Sequence, residues 1–354
     1  MPYTLLKKFV YYPLRSRIAV ADRFLFTHPF KLAGSYPPWT YPRTLGIALT
    51  RNCNLSCFMC RSPEAKGEDL DFDNLVKLEP AIRHAEIIEF CGEGESLGYR
   101  RIEDTLEFIY SLNHRIRLLR IFTNGTTLSR SMAVLLSGRV HYMRISLNAA
   151  TPETYHLVTR KGNLGITIGC IEDFLSALDE PDRSRIYLHF VASTVNYQEI
   201  PLFVELSCKL GIRHVSVGNI EISRKVHECY SLLNIQDEYD ETIVRARKTA
   251  RHLGILLEAR SFADDRGSGG AANNCEMLYN AFVELDGGIS PCNNSGRYRI
   301  GNVYKDEFEE AWFCAEYVAL RRNQYMPACD SCIYHMPLSD EAAHFTCHFK
   351  DAPR

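Results

Sequence analysis

Short apolar segments rich in β-branched residues alternate with longer amphipathic segments through the middle of the chain. The apolar segments have the length of β-strands and lie at 45–50, 86–91, 117–122, 142–148, 186–194 and 214–218. The intervening segments have helical periodicity and lie at 70–84, 101–113, 129–137, 151–178, 197–210 and 236–253. This alternation predicts βα units around a parallel sheet, that is, an α/β fold built as a partial (β/α)6 TIM-like barrel. Functional side chains are then expected at the carboxyl ends of the strands.

The segments that flank the predicted barrel (44–258) differ from it in composition. Residues 1–43 carry seven Lys or Arg against a single acid, Asp22, with aromatic residues between them. This arm predicts either a helix packed across the barrel or a basic amphipathic helix that makes peripheral contact with an anionic membrane or an anionic substrate. A Gly-rich linker is predicted at 259–274. Residues 275–354, a second predicted domain, hold six of the thirteen cysteines.

The overall composition is that of a soluble globular protein. Of the 354 residues 46% are hydrophobic and 24% are charged, and the formal net charge of −2 gives no global field that favours nucleic acid. No apolar run approaches the ~20 residues that span a bilayer, and the N-terminus does not have the pattern of a signal peptide. The odd number of cysteines fits reduced, metal-binding thiols in a cytoplasmic protein better than a secreted disulfide scaffold.

Three cysteines follow the first predicted strand with the spacing Cys-x3-Cys-x2-Cys, namely Cys53, Cys57 and Cys60. Three thiolates do not close a tetrahedral structural zinc site, which takes four protein ligands. They can bind three irons of a 4Fe–4S cluster and leave the fourth iron open for a substrate or cofactor. Zinc with a distant fourth ligand is the alternative.

On this motif the sequence resembles the radical S-adenosylmethionine (SAM) superfamily. The resemblance implies that the open iron binds the amino and carboxylate groups of SAM. It also implies that one electron from the cluster cleaves SAM to methionine and a 5′-deoxyadenosyl radical. Met59, directly before the third cysteine, matches a large apolar residue that lies beside the adenine in this family.

Two later strand ends extend the resemblance. The segment Gly92-Glu93-Gly94-Glu95 is similar to the family's Gly-Gly-Glu-Pro motif, with Glu93 in place of a glycine and Ser96 in place of the proline. Glycine allows close backbone approach, and a carboxylate suits a cationic amine. The resemblance therefore implies that Gly92, Gly94 and Glu95, with Glu93 less directly, hold the SAM ammonium group. Thr123 and Asn124 begin a segment that resembles the family's Thr-Asn-Gly turn.

The fourth strand and the helix after it supply the last matches. The segment ending in Ser146-Leu147-Asn148 resembles a Ser-Leu-Asp motif, with Asn148 in place of the aspartate. A spacing of two puts Ser146 and Asn148 on one strand face, where both can point at a ribose or a carboxylate. Arg160 resembles a family arginine that pairs with the SAM carboxylate. The resemblance covers about residues 44–220.

A second group of cysteines lies near the C-terminus. Asp286-Gly287-Gly288 between apolar runs predicts a β-hairpin that brings Cys275 and Cys292 together, and Cys329 and Cys332 follow with Cys-x2-Cys spacing. The order resembles the auxiliary-cluster domain of radical SAM maturases, a small α+β domain called SPASM, or twitch in its shorter form. This resemblance implies that the four cysteines ligate one auxiliary 4Fe–4S cluster. A four-cysteine zinc site is the alternative.

These features predict a radical SAM enzyme, an oxidoreductase or related radical enzyme. We expect it to take a hydrogen atom from a sugar, aminocyclitol, nucleoside or lipid-linked substrate. Oxidation, dehydrogenation or epimerisation would follow with help from the auxiliary cluster, and flavodoxin or ferredoxin would supply electrons. A peptide-modifying maturase is the alternative within the family. A non-catalytic zinc or iron–sulfur protein is the alternative from another class.

Overall fold

A computed structural model describes residues 40–63, 66–113, 116–221, 225–265, 279–291 and 299–323. The predicted N-terminal arm lies outside these residues, apart from its last four positions, and so do all four cysteines of the second group. The described residues form a single nine-stranded sheet with the order β7-β6-β5-β4-β3-β2-β1-β8-β9. Every neighbouring pair is parallel except β8 and β9.

The six predicted strands are all present, and three further strands follow them. The strands are β1 (Thr44–Ile47), β2 (Ile87–Phe90), β3 (Leu118–Thr123), β4 (Tyr142–Ser146), β5 (Ile186–Ala192), β6 (His214–Asn219), β7 (Leu256–Glu258), β8 (Asn280–Val283) and β9 (Ile289–Ser290). Because β1 to β6 are adjacent in the order of the chain, each βα unit places its strand directly beside the previous one. The parallel α/β fold predicted from the alternation is confirmed.

Helices connect the strands. They are α1 (Phe72–Val76), α2 (Glu79–His84), α3 (Ile102–Leu112), α4 (Arg130–Leu136), α5 (Pro152–Thr159), α6 (Leu164–Ser176), α7 (Glu180–Arg183), α8 (Ile200–Lys209), α9 (Gln236–Leu253), α10 (Phe262–Asp265), α11 (Phe308–Trp312) and α12 (Ala315–Asn323). Short 3-10 helices lie at Ser96–Gly98, Tyr197–Glu199, Lys225–Tyr230 and Leu232–Ile235. Within the described part of the chain, no helix is long and apolar enough to cross a membrane.

Two predicted helices are each divided in the structure. The segment 151–178 forms α5 and α6, because Arg160 adopts a left-handed conformation (φ 63°) that ends α5. The segment 70–84 forms α1 and α2, and Pro80 lies in the first turn of α2. A left-handed residue breaks the path of a helix, and proline has no backbone N–H to continue a preceding one. Periodicity alone therefore overestimated the length of both elements.

The C-terminal segment contributes to the barrel sheet. β8 pairs in parallel with β1, and the predicted hairpin is confirmed, since β8 and β9 are antiparallel and Gly287 occupies the turn with φ 81°. A Cβ atom at Gly46 would lie 2.4 Å from the ring of Phe282, so only glycine admits that ring beside β1. The hairpin therefore closes one side of the open barrel.

The strands alternate between a buried face and a partly exposed face. Ile121, Ile145 and Leu188 are fully buried on the face that the helices cover, where Phe190 of β5 packs edge-on against Phe203 of α8 at 5.0 Å. The residues between them on the opposite face are only partly buried. This opposite face lines the barrel interior, which is called the lumen below.

Asn196 joins the ends of β4 and β5. Its side chain is 1% exposed, and both polar atoms of the amide are hydrogen-bonded. The Nδ2 donates to Asn148 O and Val191 O, each at 2.9 Å. Its Oδ1 accepts hydrogen bonds from the backbone N–H and the hydroxyl of Ser193 at 2.7 and 2.9 Å. One side chain thus fixes the carboxyl ends of two neighbouring strands.

Replacing Asn196 with Ala is expected to lower the free energy of unfolding by about 1–3 kcal/mol, because buried backbone groups at the ends of β4 and β5 lose their partners. Asn234→Ala is the matched control, since that side chain is exposed and donates one 3.3 Å hydrogen bond to a backbone carbonyl. Its effect should stay within about 0.5 kcal/mol. Urea unfolding of both variants measures the difference, and equal stabilities would contradict the role given to Asn196.

Candidate functional site

The three cysteines of the first group lie on the loop that follows β1. None of the three is in a disulfide bond, and all are half-buried. Burial, together with the charges of Cys53 and Cys60, raises the pKa of Cys57 to about 12, so the three sulfurs are close enough to interact. Burial also raises the pKa of the Cys53 thiol, although N–H donors from Leu55 and Asn124 act in the opposite direction.

The cysteine loop is fixed to the carboxyl end of α5. The N–H groups of Ser56 and Phe58 donate to the carbonyls of Thr159 and Val158, both at 3.1 Å. The last carbonyls of a helix have no partner within the helix, so the loop supplies the missing donors. Arg160 follows directly in its left-handed conformation, and its charge lowers the pKa of Cys57. The helix end thus places a cation beside the cysteine loop.

A buried histidine fixes the loop from the other side. His227 is 0% exposed, and its ring nitrogens lie 3.1 Å from two backbone carbonyl oxygens, Nε2 from Phe58 and Nδ1 from Glu221. The Glu221 carboxylate pairs with Arg61, directly after the third cysteine, at 3.1 Å. The segment that follows β6 is thereby joined to both ends of the Phe58–Arg61 stretch.

Glu95 links three segments at the carboxyl edge of the sheet. Its side chain is 4% exposed, and one carboxylate oxygen accepts from the Thr123 hydroxyl at 2.6 Å and from Leu97 N–H at 3.2 Å. The other oxygen accepts from Asn124 N–H at 2.6 Å. Burial raises the pKa of Glu95, while these three donors lower it. The carboxylate predicted to contact the SAM amine therefore also holds the Thr123–Asn124 turn in place.

The Thr123–Asn124 turn reaches the cysteine loop. The Asn124 Nδ2 lies 3.7 Å from Cys53 Sγ and donates to Asn54 Oδ1 at 3.0 Å. The Asn54 amide in turn donates to Thr126 Oγ1 at 2.7 Å. Hydrogen bonds to a ligand sulfur orient it, so Asn124 can act on Cys53 as well as on a bound cofactor.

The Gly92–Glu95 segment packs against the backbone of the cysteine loop. A Cβ atom at Gly94 would lie 2.3 Å from Thr50 O, and Glu95 N–H donates to Asn52 O at 2.8 Å. Gly94 is thus required for close approach of two backbones. Gly92 adopts φ 135°, which only glycine tolerates well, and Glu93 pairs with Arg51 at 3.3 Å.

Ser146 and Asn148 lie in different environments. β4 ends at Ser146, so the predicted common strand face does not extend to Asn148. The Asn148 Oδ1 instead accepts from Val191 N–H of β5 at 2.9 Å, and only 9% of the residue is exposed. Ser146 remains partly exposed at the carboxyl edge. Contact of both side chains with SAM stays a prediction.

Met59 borders a small apolar cluster separate from the main core. Phe58, Val158 and Ile220 form its buried centre, and Met59 and Val191 are among the partly buried residues packed on it. The cluster joins the cysteine loop to α5 and to the end of β6. It provides an apolar wall of the kind that a planar base requires.

The chemistry of the three thiols fits an iron–sulfur cluster. In the described residues, no three His, Cys, Asp or Glu side chains are close enough together to hold one ion. A 4Fe–4S cluster does not require such convergence, because each cysteine binds a different iron. Three half-buried thiols outside any disulfide, with N–H donors to Cys53 and the charge of Arg160 beside Cys57, suit three thiolate ligands of an anionic cluster.

Sequence reasoning missed His227 and the role of Asn54. Asn54 lies inside the cysteine motif, so its position was a usable signal. His227 lies 169 residues from Phe58, and no local pattern marks it. Cys91, a cysteine without a predicted role, lies in the lumen, where its Sγ would be 3.0 Å from a Cβ atom at Gly46.

Arg160→Gly and Arg160→Ala both remove the guanidinium, but only glycine adopts φ 63° without steric cost. The glycine variant should therefore be more stable than the alanine variant by about 1 kcal/mol. The same pair at Glu172, an exposed position inside α6, should give the opposite order by a similar amount. Urea unfolding measures both differences, and the same order at both positions would contradict the assignment.

Comparison with family models agrees with this geometry. Residues 47–207 match the radical SAM superfamily, and residues 275–333 match SPASM, an iron–sulfur cluster-binding domain. The second match contains all four cysteines of the C-terminal group.

Three known proteins are similar to this chain in sequence or in fold. The tungsten-containing aldehyde ferredoxin oxidoreductase cofactor-modifying protein of Pyrococcus furiosus is 24% identical over 318 residues, which cover 81% of this chain and 86% of that protein. The probable GTP 3',8-cyclase of Methanocaldococcus jannaschii is 24% identical over 57% of this chain and 69% of its own length. Streptococcus suis SuiB bound to precursor peptide SuiA has the same fold, with a TM-score of 0.61 and 15% identity over 90% of this chain and 75% of its own.

The cysteine motif, its position after the first strand and the two family matches lead to one assignment. The cofactors of this assignment are SAM and a 4Fe–4S cluster in the barrel, with further iron–sulfur binding in the C-terminal domain. The chain belongs to the radical SAM superfamily and carries a C-terminal SPASM domain.

Proposed function

We propose that this radical SAM enzyme takes a hydrogen atom from a small-molecule substrate, whose oxidation, dehydrogenation or epimerisation is completed with one auxiliary 4Fe–4S cluster. The observation that carries the proposal is the arrangement at the carboxyl edge of the sheet. The three thiols of the cysteine loop lie beside a lumen whose inward-facing side chains are partly exposed and include Arg120, Arg144, Ser146 and His189. When bound, the cofactors supply one-electron cleavage of SAM to methionine and a 5′-deoxyadenosyl radical, and an electron acceptor for an oxidised substrate.

In the proposal, different residues at the carboxyl edge of the sheet bind different parts of SAM. Cys53, Cys57 and Cys60 hold the cluster, and Asn124 orients Cys53 through its amide. In the proposal Glu95, the Gly92–Gly94 backbone and the Thr123 turn bind the ammonium group, while Arg160 pairs with the carboxylate. Met59 and the apolar cluster behind it exclude water from the adenine. Ser146 and Asn148 lie at the ribose.

A small-molecule substrate is supported by the names of two relatives. One is named as a GTP cyclase and the other for modifying a cofactor, and the second is similar to 81% of this chain. SuiB was solved with a precursor peptide, but at 15% identity the likeness concerns the fold alone. In the proposal a flavodoxin or ferredoxin supplies the electron, and Cys275, Cys292, Cys329 and Cys332 hold the auxiliary cluster.

Glu95→Gln and Arg160→Gly should each weaken SAM binding about tenfold or more, because each removes a charge-assisted hydrogen bond. In Glu95→Gln an NH2 donor replaces one of the two acceptor oxygens that hold Thr123 and Asn124. Lys161→Gln, an exposed neighbour, should bind SAM normally. Calorimetric titration of anaerobically reconstituted enzyme measures the affinities. Unchanged affinity in either variant would remove that residue from the site.

Replacing Cys53, Cys57 and Cys60 together with Ala should abolish the formation of 5′-deoxyadenosine from SAM under reducing conditions. Iron counting on this variant should find about four irons per chain, those of the auxiliary cluster. Cys229→Ala, at an exposed thiol, is the control and should retain the activity.

The reciprocal variant separates the two clusters. Replacing Cys329 and Cys332 with Ala should preserve slow SAM cleavage, because neither residue belongs to the first cluster, but should prevent completion of the substrate reaction. Retained SAM cleavage in the triple variant would end the assignment of the first cluster. One zinc and no iron in that variant would make the C-terminal domain a structural zinc module.

A further inference from the structure

The strand register identifies which side chains enter the lumen. On β4, β5 and β6 the fully buried residues face the helices, and the residues between them face inward. Tyr142, Tyr187 and His214 are the first inward residues of these strands. Their rings form a continuous row, with centroid distances of 4.3 Å between the two tyrosines and 4.6 Å from Tyr187 to His214. This aromatic row lies at the amino-terminal end of the lumen.

A polar row lies one layer nearer the carboxyl edge. The next inward residues on the same three strands are Arg144, His189 and Ser216, each two positions further along its strand. Two strand residues span about 7 Å, so each member of the polar row lies nearer the edge that carries the cysteine loop than the aromatic residue of its own strand. A ligand held by the polar row would extend toward that loop.

Each member of the polar row is held in a defined orientation. The Arg144 guanidinium stacks over the Phe122 ring at 4.3 Å. The His189 Nδ1 lies 2.8 Å from Ser216 Oγ, which fixes the ring. A Cβ atom at Gly218 would lie 3.2 Å from His189 Cε1 and 3.4 Å from Nε2, so glycine makes room for this edge of the ring. Because Gly218 follows Ser216 by two positions, the Nε2 edge lies toward the carboxyl end.

The charges around the polar row favour an anion. The inward-facing charged residues on β2 to β4 are Glu89, Arg120 and Arg144, with Glu89 and Arg120 paired at 3.3 Å. Burial and the charge of Arg144 lower the pKa of His189 to about 3, so the ring is neutral at physiological pH. Two guanidinium groups therefore face one carboxylate, together with a neutral imidazole and a hydroxyl group.

The polar row departs from the usual filling of a barrel interior. Barrel interiors are filled mostly by branched apolar side chains. Here three neighbouring strands instead carry Arg144, His189 and Ser216, and all three residues stay partly exposed. Guanidinium groups match the geometry of carboxylate and phosphate oxygens.

We propose that Arg144, His189 and Ser216 form an anion subsite that anchors a carboxylate or phosphate group of the substrate. The inference rests on the proposed function, since it names the chemical class of the substrate that the lumen accepts. The subsite also sets the orientation of the bound substrate. Its anionic end lies in the polar row, and the rest of the molecule extends toward the cysteine loop. His189 and Arg144 are then specificity determinants for the reaction.

The test is direct binding, which does not depend on turnover. Anaerobically reconstituted enzyme with SAM is titrated calorimetrically with inorganic phosphate and, separately, with succinate. At least one anion should bind saturably, and the tighter of the two identifies a phosphate or a carboxylate as the native group. Arg144→Gln should weaken that binding about tenfold or more. His189→Asn should weaken it as well, because asparagine replaces the Nδ1 contact to Ser216 but lacks the Nε2 edge.

Two further variants make the outcome decisive. Gly218→Ala crowds the Nε2 edge while leaving every polar group in place, and it should weaken anion binding with little loss of stability. Arg130→Gln removes an exposed guanidinium on α4 and should leave the affinity unchanged. Absence of saturable binding, or equal affinities for Arg144→Gln and Arg130→Gln, would overturn the subsite. Absence of SAM cleavage by the unaltered enzyme would instead overturn the proposed function.

Discussion

The buried carboxylate of Glu95 is the interaction on which the candidate site depends. A charge at 4% exposure is strongly destabilising without compensation, and here three hydrogen-bond donors compensate it. Two of these donors belong to the Thr123–Asn124 turn after β3, and Asn124 reaches Cys53. The segment after β2 thereby fixes the segment after β3, which in turn orients the cysteine loop after β1. The carboxylate thus connects the ends of β2 and β3 directly, and Asn124 extends this connection to the loop after β1.

The parallel sheet explains why these contacts are available. Since β1 to β6 run in one direction and follow chain order, their carboxyl ends meet along one edge. The same topology returns the end of α5 to that edge, where its terminal carbonyls bind the cysteine loop and Arg160 turns back beside Cys57. A helix end with unpaired carbonyls and a loop with unpaired N–H groups satisfy each other. The cation beside the thiols is a consequence of that pairing.

The two faces of the sheet have different roles. Residues such as Ile145 and Leu188 are fully buried against the helices and supply the hydrophobic stabilisation. The inward face contributes less hydrophobic stabilisation, because Arg144 and His189 occupy positions that apolar side chains could fill. The β8–β9 hairpin limits solvent access from one side by placing Phe282 against Gly46.

The sequence by itself determined the features that local pattern encodes. Alternating periodicities predicted six parallel strands, and the Asp286–Gly288 turn predicted the hairpin. The cysteine spacing placed three thiols on the loop directly after β1, and their role as cluster ligands stays a prediction. The division of 151–178 at Arg160 escaped prediction, because a left-handed arginine at a helix end depends on the contacts around it and not on residue type.

Only the tertiary structure decided which distant residues meet. His227 contacts Phe58 across 169 residues, Trp312 donates to Thr40 O at 2.9 Å across 272 residues, and β8 lies beside β1. It also decided that Asn148 bonds to β5 instead of sharing a strand face with Ser146. The physical reason is that periodicity reports which face of an element is apolar, whereas the partner of a polar group is set by packing between elements.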